Sequence, residues 1–220
     1  MLSIWIGRAG SGKSARVLET IQRERENRPQ LLLVPEHTSH EAELDLCRFC
    51  GPTACRSAEV LTFQSLATRV LGETGGLADV TLDNGGKLLT MRRCLQELHT
   101  QLKVFGRPSQ RSAFLHQLTT LADEFYAYQI APETLYHHVE DMEGAMGDKL
   151  RDVALIFAAY DAKLRHGGTD TRSRVQKLHD SLPQSHYLDG KDLYLDGFSF
   201  FNRQEESVLA LALRRCASVA

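Results

Sequence analysis

The sequence has no surplus of positive charge: 26 lysines and arginines stand against 28 aspartates and glutamates, a formal net charge of −2 over 220 residues. This excludes a uniformly basic protein that coats nucleic acid and leaves room only for a local basic track. No apolar run reaches membrane-spanning length, so no membrane partner is expected. The first residues read as a strand feeding a loop motif, so they are not expected to be a cleaved leader. The cysteines do not pair off either. Five is an odd number, and without an export signal it points to reduced thiols and a cytoplasmic setting rather than a disulfide framework. Hydrophobic content of 42% and charged content of 25% are ordinary for a soluble protein, and the length suits one α/β domain carrying an insertion.

What is present announces itself almost at the first residue. Gly7-Arg8-Ala9-Gly10-Ser11-Gly12-Lys13-Ser14 is a complete GxxxxGKS phosphate loop. Leu2–Ile6 reads as a short buried strand before it, and Ser14 to about Arg25 as an amphipathic helix after it. A glycine-rich turn in that setting wraps backbone N–H groups around phosphates, and the positive end of the helix dipole points to the same place. Lys13 would reach the β- and γ-phosphates of ATP, and the Ser14 hydroxyl would bind Mg²⁺.

The first 75 or so residues alternate strand and helix. Leu31-Leu32-Leu33-Val34 is a continuous apolar run, as in a parallel strand buried on both faces, and Pro35 ends it. Ser39 is placed to cap a helix starting near His40. Ala58–Thr62 reads as a strand and Phe63–Leu71 as a helix. The period then changes. Leu88, Met91, Leu95, Leu98 and Leu102 recur at three- and four-residue steps, as do Phe114, Leu118, Leu121 and Phe125, and later Leu150, Val153, Phe157, Tyr160 and Leu164. Strand character returns at Asp192–Phe198, with a helix from about Asn202. The expected fold is therefore an α/β, doubly wound parallel sheet over 1–82 and 186–220, with an all-helical subdomain over 83–185 inserted into it. The apolar Ala217–Ala220 begins a further element, which suggests the N-terminal piece of a longer protein.

A phosphate loop becomes an NTPase site when an acidic residue at a neighbouring strand end holds the metal through water. Leu193-Tyr194-Leu195-Asp196 supplies such a strand, and Asp196 is the candidate. Gly197 follows it where helicase-type motors place a glutamate as general base, and glycine accepts no proton. Glu205 and Glu206 come too late, on the next helix. The site is expected to bind ATP and hydrolyse it poorly or not at all, and no catalytic residue is assigned.

Several phrases together carry a resemblance: the phosphate loop after the first strand, Leu33-Val34-Pro35-Glu36, Val60-Leu61-Thr62-Phe63 with Leu66-Ala67 and Arg69-Val70-Leu71, and Tyr194-Leu195-Asp196-Gly197-Phe198 with Phe201. In this order the chain resembles the N-terminal part of the B subunit of bacterial ATP-dependent helicase/deoxyribonuclease, the AddB type. The resemblance implies a superfamily 1 helicase-like, RecA-like P-loop NTPase domain with a helical subdomain. It also implies a heterodimer with the helicase/nuclease A subunit, the principal motor, and work on double- and single-stranded DNA at double-strand breaks for recombinational repair. The family's exonuclease domain and iron–sulfur cluster lie C-terminally, so their residues cannot be assigned here. His37 stands where the family suggests glutamine. A degenerate motor is expected to lack the adenine-reading segment that active motors carry before the loop.

Other candidates compete with plainer roles. Arg69, Arg92 and Arg93 are candidates for DNA backbone contact. Phe125, Tyr126, Tyr128 and Tyr160 either stack on bases or, as helical spacing favours, pack a core. Cys47, Cys50 and Cys55 include a Cys-x2-Cys spacing, but no second pair follows, and buried free thiols are the better reading, as for Cys94 and Cys216. His137, His138, Glu140 and Asp141 share no helical face and read as solvated surface. Two other functions stay open: a stand-alone P-loop phosphotransferase with the helical block as lid, and a structural subunit with a vestigial phosphate loop.

Overall fold

A computed structural model describes residues 2–51, 53, 56–77, 82–106, 112–166 and 173–220. They form two compact units, Met1–Leu77 with Arg174–Ala220, and Ala78–Ser173.

The first unit is built on four parallel strands, β1 (Gln30–Leu33), β2 (Ala58–Leu61), β3 (Asp192–Leu195) and β4 (Ser218–Val219), in the order β2-β1-β3-β4. The unbroken apolar run of β1 is explained by its surroundings. Leu31 and Leu33 enter a cluster with Phe63, Leu66, Val70, Leu178 and Val208, while Leu32 and Val34 join Val17, Ile21, Leu46 and Tyr194. Alternate residues thus bury on opposite faces, the condition under which a strand needs no polar positions. Helices α1 (Lys13–Glu24) and α2 (Ser39–Cys50) contribute to the second cluster, and α3 (Phe63–Thr74), α8 (Arg174–Ser181) and α9 (Arg203–Arg215) to the first. Periodicity alone joins Arg174–Ser181 to the helical block. Its Val175 and Leu178 instead bury in the sheet unit, between α3 and α9.

Two local expectations are corrected. Leu2–Ile6 is not a ladder strand: Leu2 makes one isolated parallel bridge to Val219, and Ile4 and Ile6 are 73% and 95% exposed. The neighbouring β4 is two residues long, so it offers rungs for one bridge, and apolar alternation makes a strand only beside a backbone that can pair with it. Ser39 does not cap a helix. It is the first residue of α2, behind a 3₁₀ turn over Glu36–Thr38, and its hydroxyl donates to the Glu36 carbonyl at 3.0 Å. Caps appear instead at Thr62 for α3 and Asn202 for α9, each a reciprocal capping box.

The second unit contains α4 (Asn84–Leu98), α5 (Ser112–Ala127), α6 (Pro132–Val139) and α7 (Gly144–His166). Met91, Leu95, Leu98, Leu118, Phe157 and Tyr160 share its core, with Phe125 and Tyr126 packed against it. Of the four aromatics considered for base stacking, only Tyr128 is exposed. Asp152 on α7 is a buried carboxylate that accepts the N–H groups of Lys103 (3.0 Å), Val104 (2.7 Å) and Phe105 (2.9 Å), tying down the turn that follows α4. Substituting Asp152→Ala leaves three amides competing for water and is expected to cost about 3 kcal/mol, read as a lower urea midpoint with an unchanged slope.

Candidate functional site

Parallel strands bring all their C-terminal ends to one edge of the sheet. Val34-Pro35-Glu36 leaves β1 there, Thr62 leaves β2, and Asp196 leaves β3. The Asp196 N–H donates to the Leu33 carbonyl at 3.1 Å, which fixes the aspartate beside the end of β1. This edge is where open α/β sheets bind ligands.

The GxxxxGKS segment forms an exposed loop running into α1. Within it the Ser11 N–H donates to the Arg8 carbonyl at 3.2 Å. Gly12 stands at the helix N-cap with φ 84°, a left-handed conformation that a side chain would strain. It offers no side-chain cap, and the first turn of α1 holds no acidic residue. The Arg16 N–H is the first to reach back, to the Gly12 carbonyl at 3.0 Å, so the amides before it face the open end of the helix. Lys13 folds over the loop: its Nζ donates to the carbonyls of Gly7 and Arg8, both at 2.8 Å. The amine is thus held at the loop by two carbonyl oxygens. Ser14 and Ala9 are exposed, as are Arg8 and Gly10.

Lys13 and Asp196 line the same cavity, of about 400 Å³, with Trp5, Val17, Leu195 and Phe198 among its apolar walls. Two residues 183 positions apart in sequence (196 − 13) thus meet at one opening. The Arg16 guanidinium lies 5.3 Å from the Trp5 ring centre, a cation–π contact that fixes the only tryptophan beside the loop. Among the described residues no group of three or more His, Cys, Asp or Glu gathers to hold a metal. The structure brings Lys13 and Asp196 to one cavity but not Ser14, which is exposed and does not line it.

Gly197 has φ 80°, and a Cβ there would stand 3.3 Å from Pro35 Cδ. The nearest glutamates are already engaged. Glu205 closes the α9 capping box, accepting the Asn202 N–H at 2.9 Å. Glu206 pairs with Arg203 at 3.3 Å, and Glu36 accepts the Thr62 hydroxyl at 2.6 Å. That last bond joins the ends of β1 and β2, and sequence reasoning missed it. The only signal was the Thr62-x-x-Ser65 capping pattern. Also missed was the cluster of Phe63, Phe198 and Phe201, with ring centres 4.7–6.5 Å apart. Phe63 and Phe198 of this cluster line a second crevice of about 380 Å³ between the ends of β1 and β3, with Glu36, His37, Gln64 and Asn202. Phe200 also lines this crevice and is 73% exposed.

The remaining candidates do not converge on these cavities. Arg69 pairs with Glu59, Arg93 pairs with Glu97, and Arg92 is exposed on α4. His138 bonds to the Thr134 carbonyl of its own helix, and His137 lies 3.9 Å from Glu140. Cys50, Cys94 and Cys216 are buried free thiols, and Cys55 lies outside the described residues. Burial pushes the Cys94 and Cys216 thiols up to about 11, so both stay protonated and unreactive near neutral pH. No helix among the described residues is long and apolar enough to cross a membrane.

The family model described as ADDB, N-terminal, matches residues 4–220. The chain belongs to the AddB N-terminal family. Similar relatives are named as the B subunit of ATP-dependent helicase/deoxyribonuclease. That of Geobacillus thermodenitrificans is 34% identical over 99% of this chain, that of Clostridium tetani 32% over 97%, and that of Desulforamulus reducens 35% over 93%. The AddB N-terminal chain spans only 18–20% of the length of these curated relatives.

In this AddB N-terminal chain the turn after Asp196 depends on a glycine. Gly197→Ala is expected to lower stability by about 1–2 kcal/mol, measured by thermal or urea unfolding, because it combines a left-handed backbone with contact against Pro35.

Proposed function

We propose that the chain is the N-terminal, ATP-binding, helicase-like region of a helicase/deoxyribonuclease of the AddB type, working with the family's A subunit on DNA ends during recombinational repair. The observation that carries this reading is the shared cavity of Lys13 and Asp196, the two residues that phosphate and metal binding each require. Backbone amides of Gly12 to Ser14, at the uncapped start of α1, would cradle the phosphates of ATP. Lys13 would leave the Gly7 and Arg8 carbonyls for phosphate oxygens. Ser14 and Asp196 would hold Mg²⁺, Asp196 through water, and the ion would neutralise phosphate charge. Of these two residues only Asp196 lines the cavity, so an ion there would have to keep most of its water or be held by the nucleotide's phosphates.

Binding without turnover follows from the same geometry. No side chain at 197 offers a base, and Glu36, Glu205 and Glu206 are each tied to a partner. The nucleotide then regulates or stabilises the region rather than driving translocation. Membership of this family favours the helicase/nuclease role over a free-standing phosphotransferase. For DNA, the second crevice supports contact with a single strand, since the exposed Phe200 ring is available to stack on a base.

Trp5 makes the nucleotide reading easy to test, since it lines the same cavity as Lys13. Titration with MgATP should change its fluorescence saturably. Lys13→Ala should weaken the apparent affinity roughly tenfold or more, and equal binding by both proteins would overturn the reading. Steady-state hydrolysis should stay at least about 100-fold below an ordinary enzymatic rate of ~10 s⁻¹, because a missing base costs that much or more. Phe200→Ala should weaken binding of a fluorescent single-stranded oligonucleotide about tenfold, within the range for loss of one stacked base. An unchanged affinity would remove Phe200 from the interface.

A further inference from the structure

From Ser112 to Asp148 the chain holds no lysine or arginine, although 26 are spread over its 220 residues. This stretch makes α5, α6 and the entry to α7, all within the second unit. Two of its carboxylates are answered from elsewhere: Asp123 pairs with Lys87 at 2.7 Å, and Asp148 with Lys103 at 2.9 Å. Glu124, Glu133, Glu140, Asp141 and Glu143 are exposed and pair with no lysine or arginine among the described residues.

Apolar side chains share that surface. Helix α6 buries Pro132 and Val139 and sets Leu135 against the core, so the 3.6-residue period turns Glu133, Tyr136 and Glu140 outward. Tyr136, Met142 and Met146 are 47%, 39% and 60% exposed. Their backbone is tied down nonetheless. The Glu140 N–H donates to the Tyr136 carbonyl at 3.0 Å, and the Met142 N–H to the Val139 carbonyl at 3.2 Å. Arg151 of α7 donates to the Met142 carbonyl at 2.8 Å, and the buried Gly147 lies so close to that carbonyl that no Cβ would fit. Met142 is thereby held beside Met146, the residue before that glycine. Tyrosine and methionine on a fixed backbone suit a contact surface, and the carboxylates between them set the charge of what they contact.

We infer that this face docks a basic, amphipathic segment of a partner protein. Lysines and arginines of the segment meet Glu133, Glu140, Asp141 and Glu143, while its apolar side chains cover Tyr136, Met142 and Met146. Charge selects this occupant over others. Nucleic acid and anionic lipid bring more negative charge to a surface with no cation of its own. A second copy pressing the same face against this one sets carboxylate against carboxylate. The inference does not require the nucleotide reading, because Lys13 and Asp196 belong to the first unit.

The test uses a fluorescent helical peptide of lysine, leucine and alanine written with one apolar face, and a scrambled peptide of the same composition. The full-length protein should bind the first about tenfold or more tighter than the second, and added salt should weaken it. Glu140→Lys with Glu143→Lys should weaken binding about tenfold or more, and Tyr136→Ala with Met146→Ala about tenfold, as for lost interface anchors. All four positions are exposed, so the melting temperature should stay nearly constant. Equal or absent binding of the two peptides, or no loss in either variant, overturns the inference. Weaker binding of a single-stranded oligonucleotide by the Glu140→Lys, Glu143→Lys protein assigns the face to DNA and also overturns it.

Discussion

The pairing of β3 alongside β1 is the constraint on which everything else depends. It is a contact between segments about 160 residues apart (192 − 30 = 162), made across the whole helical unit in chain order. Such a pairing carries a heavy loop-closure cost, which is offset by burying apolar side chains on both faces of each strand. Because the strands are parallel, their carboxyl ends emerge together, and Asp196 comes to lie at the same edge as Glu36 and Thr62. An antiparallel partner would have sent the aspartate to the opposite edge.

Around that edge the polar groups are mostly committed to structure. Thr62 caps α3 while bonding Glu36, Asn202 and Glu205 cap each other across the first turn of α9, and an aromatic cluster fills the space between. The exceptions lie on one side, where the amides at the start of α1 lack a side-chain cap and the phosphate loop is open to solvent. A rigid floor next to an uncapped helix end gives an anion somewhere to bind without remodelling the sheet. Cavity-lining residues such as Leu195 and Phe198 exclude water from one flank and would strengthen charge interactions made there.

Much of this was legible in the sequence, for identifiable reasons. The run Leu31–Val34 announced a buried parallel strand because it has no polar position, and Leu193–Leu195 announced strand character by its apolar stretch. The helical unit was legible because Met91, Leu95, Leu98 and their counterparts keep the 3.6-residue period. What failed were features that depend on a neighbour. Leu2–Ile6 has the composition of a strand but only one bridge, and Arg174–Ser181 has the period of the helical block but packs on α3 and α9. The same holds at the site. The phosphate loop is a local motif and could be read directly, whereas the engagement of Glu36 by Thr62 spans 26 residues and leaves no local pattern. Gly197 was read as a missing base, and only the backbone angle reveals that it also has a positive duty.

That duty has an evolutionary side. Glycine after the strand-end aspartate, in a left-handed turn against a proline ring, leaves little room for another residue. Any carboxylate reintroduced at that position by a single base change must overcome a φ of 80° and the proximity of Pro35 before it can approach water. Reversion would need the loop after β1 to change at the same time. The backbone thus acts as a ratchet against any side chain at position 197.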